Sequence, residues 1–183
     1  MIESIVGNLS LSKNGFVLLL RPRSGPATRV LPILIGVAEA QSIALALARK
    51  AMPRPMTHDL MKHLLDTFGA TLEQVQIERF EGKTFYAQLT LTRHGDALDP
   101  IDARPSDAIA LALRCGATIF VAEEVYEKGG VDMPLDSAKH PKPPPPPLDP
   151  RRQLEEEMKK AIQEERYEDA ARIRDQLKEW DHH

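Results

Sequence analysis

The sequence has a single cysteine, Cys115, in 183 residues, which excludes an intrachain disulfide and a thiolate-rich zinc site. With Leu113 and Ala117 beside it, Cys115 reads as a packed small side chain rather than a catalytic thiol. No stretch approaches the roughly 18 uninterrupted apolar residues of a membrane span. Met1-Ile2-Glu3-Ser4 opens without the basic and apolar regions of a secretory signal, so the expectation is a cytoplasmic protein with no membrane partner. Excess positive charge is missing too: 24 Lys and Arg stand against 27 Asp and Glu, a net charge of -3. Residues 1–140 carry 15 basic and 16 acidic side chains, and the remainder 9 and 11. That balance argues against tight non-specific nucleic-acid binding, where clustered Lys and Arg neutralise phosphates.

Familiar glycine signatures are also lacking. There is no Gly-x-Ser-x-Gly elbow, no zinc-protease helix motif and no dinucleotide fingerprint. Gly82-Lys83-Thr84 has the ending of a phosphate-binding P-loop, but the earlier glycine is absent and the triplet sits in a hairpin.

What is present is a hydrophobic content of 42%, enough for a real core. Residues 2–11 and 16–20 are rich in Ile, Val and Leu, and Asn14-Gly15 between them suits a tight hairpin turn. A third strand over 29–35 leads to a helix over 39–50, whose Ile43-Ala44-Leu45-Ala46-Leu47 leaves almost no polar face and belongs inside the domain. An amphipathic helix follows over 57–68, with Leu60, Met61, Leu64, Leu65 and Phe68 at helical spacing and Gly69 as its stop. Strands over 72–80, 84–92 and 97–103, a helix over 105–114 and a strand over 118–122 complete the set. Ile109-Ala110-Leu111-Ala112-Leu113 repeats the earlier pentapeptide after three strands, so the fold class expected is α+β, an internally duplicated strand-rich domain with buried Ala/Leu helices around a pseudo-twofold.

This domain is expected over 1–137, a proline-rich linker over 138–150 and a helical hairpin over 151–180. The prolines between 141 and 150 favour an extended spacer of roughly 30 Å. Beyond it, Leu154, Met158, Ala161 and Ile162 form one apolar stripe, and Tyr167, Ala170, Ile173, Leu177 and Trp180 another. Two such short helices bury too little surface to stand alone, so self-pairing or a protein partner is expected. Through Leu154, Met158, Ala161, Tyr167-Glu168-Asp169-Ala170-Ala171, Ile173-Arg174-Asp175 and Leu177 the segment resembles the UVR motif of excision-repair subunits and Clp-associated adaptors. That resemblance implies protein–protein contact with a UVR-containing or Clp-type partner.

Chemistry-bearing residues gather at helix starts. Thr57-His58-Asp59 opens the middle helix, and Asp59 and His63 share a helix face, as an acid/base pair or part of a metal site would. The plainer reading has Thr57 as the N-cap and Asp59 as a favourable first-turn charge. Asp102-Ala103-Arg104-Pro105-Ser106-Asp107 spans a strand-to-helix junction where Pro105 suits the first turn and free backbone N–H groups can receive a phosphate. Asp102 and Asp107 are candidate Mg²⁺ or Mn²⁺ ligands; an Asp102–Arg104 ion pair is the alternative. Glu39 and Glu123 are further carboxylates at helix starts, and a twofold would place 39–41 and 105–107 at matching junctions, gathering acidic groups from both halves near one cleft. Arg21, Arg23 and Arg29 flank Ser24-Gly25-Pro26 and are candidates for phosphate contact.

Leu31-Pro32-Ile33, Ile35-Gly36, Glu39-Ala40, Arg54-Pro55, Thr57-His58-Asp59-Leu60, Phe85-Tyr86-Ala87, Asp102 to Ala108 and Val121-Ala122-Glu123-Glu124 together resemble the bifunctional nuclease domain family over roughly residues 1–137. The resemblance implies DNase and RNase activity. On residue chemistry, His58, Asp59, Asp102, Arg104 and Asp107 are then the catalytic candidates, and Glu39, Asp102, Asp107 and Glu123 the metal candidates. In that assignment His58 handles protons and Arg104 steadies a phosphate. The competing expectation is a non-enzymatic homo-oligomeric adaptor that presents several UVR hairpins together.

Overall fold

The computed structural model describes residues 1–12, 15–24 and 29–132, together with Met158, Asp169 and residues 172–174. The chain divides into two compact units, Met1–Pro144 and Pro145–His183. Asn14 of the first turn, Gly25-Pro26, the proline spacer and most of the C-terminal hairpin lie outside the described residues. Within the second unit Met158, Asp169 and residues 172–174 are helical, and Arg172 donates to Asp169 at 3.2 Å.

The first unit begins with β1 (Ile2–Ser12), β2 (Gly15–Pro22) and β3 (Arg29–Ile35), an antiparallel meander. Its register sets Leu9, Leu18 and Ile33 side by side, and all three are buried. Burial at Leu18 and Leu20 on β2 and at Leu31, Ile33 and Ile35 on β3 has the period of two that places one face of the sheet on the core. Helix α1 (Val37–Leu47) starts two residues earlier than 39–50, because extended Gly36 serves as its N-cap, and stops earlier because Arg49 has a left-handed backbone (φ 51).

Helix α2 (Thr57–Thr67) is capped by Met56, not Thr57: the Met56 N–H donates to the Asp59 carboxylate at 2.9 Å. Gly69, at φ 66, ends it as expected. β4 (Ala70–Glu81) and β5 (Thr84–Arg93) are joined by Gly82 and Lys83, both at positive φ, the signature of a type I′ hairpin turn. The single strand expected over 97–103 is split into β6 (Asp96–Ala97) and β7 (Ile101–Ala103), since Pro100 has no N–H to give to a ladder. Helix α3 (Pro105–Cys115), β8 (Thr118–Val121), α4 (Glu123–Gly129) and β9 (Val131–Asp132) follow.

The strand order is β6-β5-β4-β8-β1-β2-β3-β9, with β7 also on β5. β8 runs parallel to β4 and antiparallel to β1, so the two meanders flank it in opposite directions, as two units related by a twofold through β8 would. α1 and α3 pack against each other on the apolar side. The repeated pentapeptide is not in register with this symmetry: Ile43 is the seventh residue of α1 and Ile109 the fifth of α3. Matching the helix starts instead pairs Glu39 with Asp107, each the third residue of its helix.

α3 is buried along most of its length, and Leu18, Leu20, Leu31, Ile43, Ile77 and Leu91 complete the centre of the core. α2 contributes less than its periodicity suggests. Met61 and Leu65 pack on the core, whereas Leu60, Leu64 and Phe68 are exposed. Among the described residues no helix is long and apolar enough to cross a membrane.

Candidate functional site

The two matched helix starts open on one cleft of about 520 Å³, lined by residues 32–36, Glu39, Phe80, 83–85, 104–106 and Gly129. Each wall has a local cause. α1 enters through Gly36, where any Cβ would collide with the Glu39 carboxylate, so the glycine is what lets that side chain fold back over the helix start. α3 enters through Arg104-Pro105, with Pro at the first helical position where its missing N–H costs nothing. The β4–β5 turn supplies Lys83, and beside it Phe80 and Phe85 stack at 4.3 Å.

Arg104 stands at the cleft and is gripped from both halves of the domain. Its Nε donates to Asp107 Oδ2 at 2.6 Å, and its Nη2 reaches Asp107 Oδ1 at 3.1 Å and Glu39 Oε1 at 2.9 Å. The Asp107 hydrogen bond, then its charge, raises the Arg104 pKa further, so this guanidinium is always charged. The arginine side chain is 68% exposed while Glu39 is 18% exposed, so the charged fork is held from below and presented outward. Arg104 makes no bond to Asp102; the ion pair weighed from sequence forms with Asp107 and Glu39 instead.

Behind Asp107 lies a polar chain through the helix layer. His58 Nε2 sits 3.3 Å from Asp107 Oδ1, and His58 Nδ1 sits 2.9 Å from Ser42 Oγ. With Nε2–H donating to the carboxylate, Nδ1 accepts from the serine hydroxyl, which fixes one tautomer. The residue order resembles a Ser-His-Asp relay, yet Ser42 and His58 are buried and neither lines the cleft. The chain therefore acts as a brace that orients Asp107, and through it Arg104.

Asp59 is spent elsewhere. Arg114 Nε donates to its Oδ1 at 2.6 Å, while the other nitrogens of Arg114 bond the carbonyls of Ala110 (2.8 Å) and Ser42 (3.2 Å). The Arg114 hydrogen bond, followed by the Met56 N–H, holds the Asp59 carboxyl below its usual range. This group pins α2 to α1 and α3. His63 is exposed and bonds neither Asp59 nor Asp107 through its ring.

The remaining candidates are dispersed. Asp102 lies exposed on β7 opposite Gln88 and forms no side-chain hydrogen bond among the described residues. Glu123 is 72% exposed and faces the N-terminal ammonium of Met1 at 3.7 Å. Arg23 pairs with Glu3 at 3.0 Å, Arg29 donates to the Glu127 carbonyl at 2.9 Å, and Arg21 lies along the β1–β2 ladder. Among the described residues no three His, Cys, Asp or Glu side chains are grouped to hold a metal. Glu39 and Asp107 do converge, but on a guanidinium, so as arranged they do not fit Mg²⁺ or Mn²⁺. Cys115 is half-buried, and desolvation pushes its thiol pKa up, away from the thiolate a catalytic cysteine needs.

Ser42, Arg114, Gly36 and Lys83 were not singled out from sequence as site residues. A serine inside an Ala/Leu helix and an arginine at the end of another were the available signals.

Comparison with known proteins finds a match in each part of the chain. A family model described as the bifunctional nuclease domain matches residues 18–134, and one described as the UvrB/uvrC motif matches residues 151–179. An uncharacterized protein of Mycobacterium tuberculosis is 42% identical over 125 residues, covering 68% of this chain and 73% of that protein. Bifunctional nuclease 1 and bifunctional nuclease 2 of Arabidopsis thaliana are each 28% identical, over 81% and 93% of this chain. The chain spans 51% and 57% of the length of those two plant relatives.

Proposed function

Because this chain belongs to the bifunctional nuclease domain family and carries a UvrB/uvrC motif, we propose that it hydrolyses phosphodiester bonds of DNA, RNA or both at the Arg104 cleft. The observation that carries the reading is Arg104, held by a carboxylate from each half of the domain and turned outward between two helix N-termini. Such a fork matches a phosphate in geometry and charge, and its attachment below removes the freedom that would otherwise be lost on binding. The α1 and α3 termini add partial positive charge on the same side.

In hydrolysis a water oxygen attacks phosphorus, the bond to one ester oxygen breaks, and that oxygen leaves with a proton. Arg104 offsets charge on the non-bridging oxygens. Glu39, the one carboxylate lining the cleft among the described residues, takes a proton of the attacking water, and the leaving oxygen takes one from solvent. Asp107 and His58 are positioning residues in this scheme. Mg²⁺ or Mn²⁺ forms no part of the step, since Glu39 and Asp107 grip Arg104 instead. The UvrB/uvrC motif is proposed to bind a UVR-containing or Clp-type protein, in a homo-oligomer that repeats these weak contacts.

A non-enzymatic adaptor is the second reading, favoured by the net charge of -3 and by the exposed Leu60, Leu64 and Phe68 stripe on α2. Labelled single-stranded RNA and DNA, incubated with the purified chain in Mg²⁺, Mn²⁺ or EDTA, separate the two. Turnover that co-purifies with the protein is expected; none under any condition selects the adaptor.

A further inference from the structure

At the N-terminus of α3, one polar residue of the cleft has no use inside the protein. Ser106, second in the helix, is 7% exposed and lines the cleft, yet its hydroxyl makes no hydrogen bond among the described residues. No fully buried side-chain N or O atom there lacks a partner, so the Ser106 oxygen is reached from the cleft rather than sealed in the core. Its backbone N–H is also unclaimed: the Arg104 carbonyl takes Asp107 N–H and Ala108 N–H, and no side chain caps the helix. The hydroxyl of a nine-tenths buried serine and a free N–H at one helix start form a donor pair awaiting an acceptor.

Two cations face the same space. Arg104 is described above; Lys83 reaches the cleft from the second position of the β4–β5 turn, at φ 68, where glycine is the relaxed choice. Beside Lys83 the stacked Phe80 and Phe85 line the same cleft.

From this arrangement we infer that the cleft binds a nucleoside monophosphate, the phosphomonoester on the Ser106 hydroxyl and N–H between Arg104 and Lys83, and the base along Phe80 and Phe85. A cavity of about 520 Å³ accommodates one nucleotide. Phosphate oxygens accept hydrogen bonds and so satisfy both Ser106 donors, and a base gains stacking without needing sequence-specific contacts. The choice of a nucleotide among phosphomonoesters rests on the nuclease reading; the anion site itself rests on Ser106 and its neighbours.

The test is isothermal titration of the full chain in EDTA with AMP, inorganic phosphate and adenosine, on wild type, Ser106→Ala and Lys83→Gly, each first shown by circular dichroism to be folded. AMP is expected to bind about tenfold tighter than phosphate, adenosine not detectably. Loss of one hydrogen bond to a charged oxygen in Ser106→Ala is expected to weaken AMP about tenfold. Lys83→Gly, which relaxes the turn, weakens it several-fold with no loss of fold. Equal AMP binding by Ser106→Ala, or none by wild type at millimolar AMP, overturns the site. Adenosine binding as well as AMP, or AMP binding no better than phosphate, overturns the nucleotide assignment. AMP binding without cleavage of any polymer retains this inference and removes the nuclease reading; cleavage without AMP binding does the reverse.

Discussion

Replacing Arg114 by Met tests whether the polar contacts of the α2 start, rather than its apolar stripe, hold that helix in place. Arg114 is 8% exposed, and its three contacts end on α2 at Asp59, on α1 at the Ser42 carbonyl and on α3 at the Ala110 carbonyl. Met keeps most of the buried stem, so the loss is confined to the guanidinium. Removing one partner of a fully buried pair costs about 3–5 kcal/mol. Asp59 is 34% exposed and keeps the Met56 N–H, so water and backbone recover part of that cost and the expected loss is roughly 2–3 kcal/mol. For a domain of this size that lowers Tm by about 8–12 °C. Urea denaturation of wild type, Arg114→Met, Asp59→Asn and the double variant gives the coupling directly.

The coupling should also depend on pH with a defined sign. The folded Asp59 carboxyl titrates below its unfolded value, so its contribution is complete above about pH 4 and disappears as the pH falls through the lower folded value. A loss under about 0.5 kcal/mol in Arg114→Met at pH 7, or a coupling unchanged in strong acid, would refute this reasoning.

Gly36→Ala should leave the backbone unstrained, since φ is -76, but push Glu39 off Arg104; cleavage is expected to fall roughly tenfold with little change in melting. Gly116→Ala places a side chain at φ 71 in open space, so strain alone should cost about 1 kcal/mol in denaturation, with no effect on cleavage.

Much of the fold was legible because strands and buried helices announce themselves through Ile, Val and Leu spacing, and Gly69 and Gly82 punctuate them where φ must be positive. The α2 orientation was not. Its five apolar residues share a stripe, but periodicity cannot say that His58 and Asp59 meet partly buried partners 49 and 55 residues away, which turn Leu60, Leu64 and Phe68 outward. The same gap separates naming site residues from assigning them. His58, Glu39, Arg104 and Asp107 stand out as chemistry at helix starts, yet only the fold shows that His58 contacts Ser42 and Asp107, that Asp59 bonds Arg114 and that Arg104 lies between Glu39 and Asp107. The pentapeptide repeat drew attention to a duplication whose register lies instead in the two third-position carboxylates.

The most direct test of the cleft assignment is the single-turnover cleavage rate of a labelled RNA or single-stranded DNA by wild type and Arg104→Ala under the same conditions. Arg104 is largely exposed, so the variant should fold with nearly unchanged melting. A rate lower by about 100-fold or more is the predicted result. Cleavage at the wild-type rate by the folded variant would contradict it and place the chemistry elsewhere.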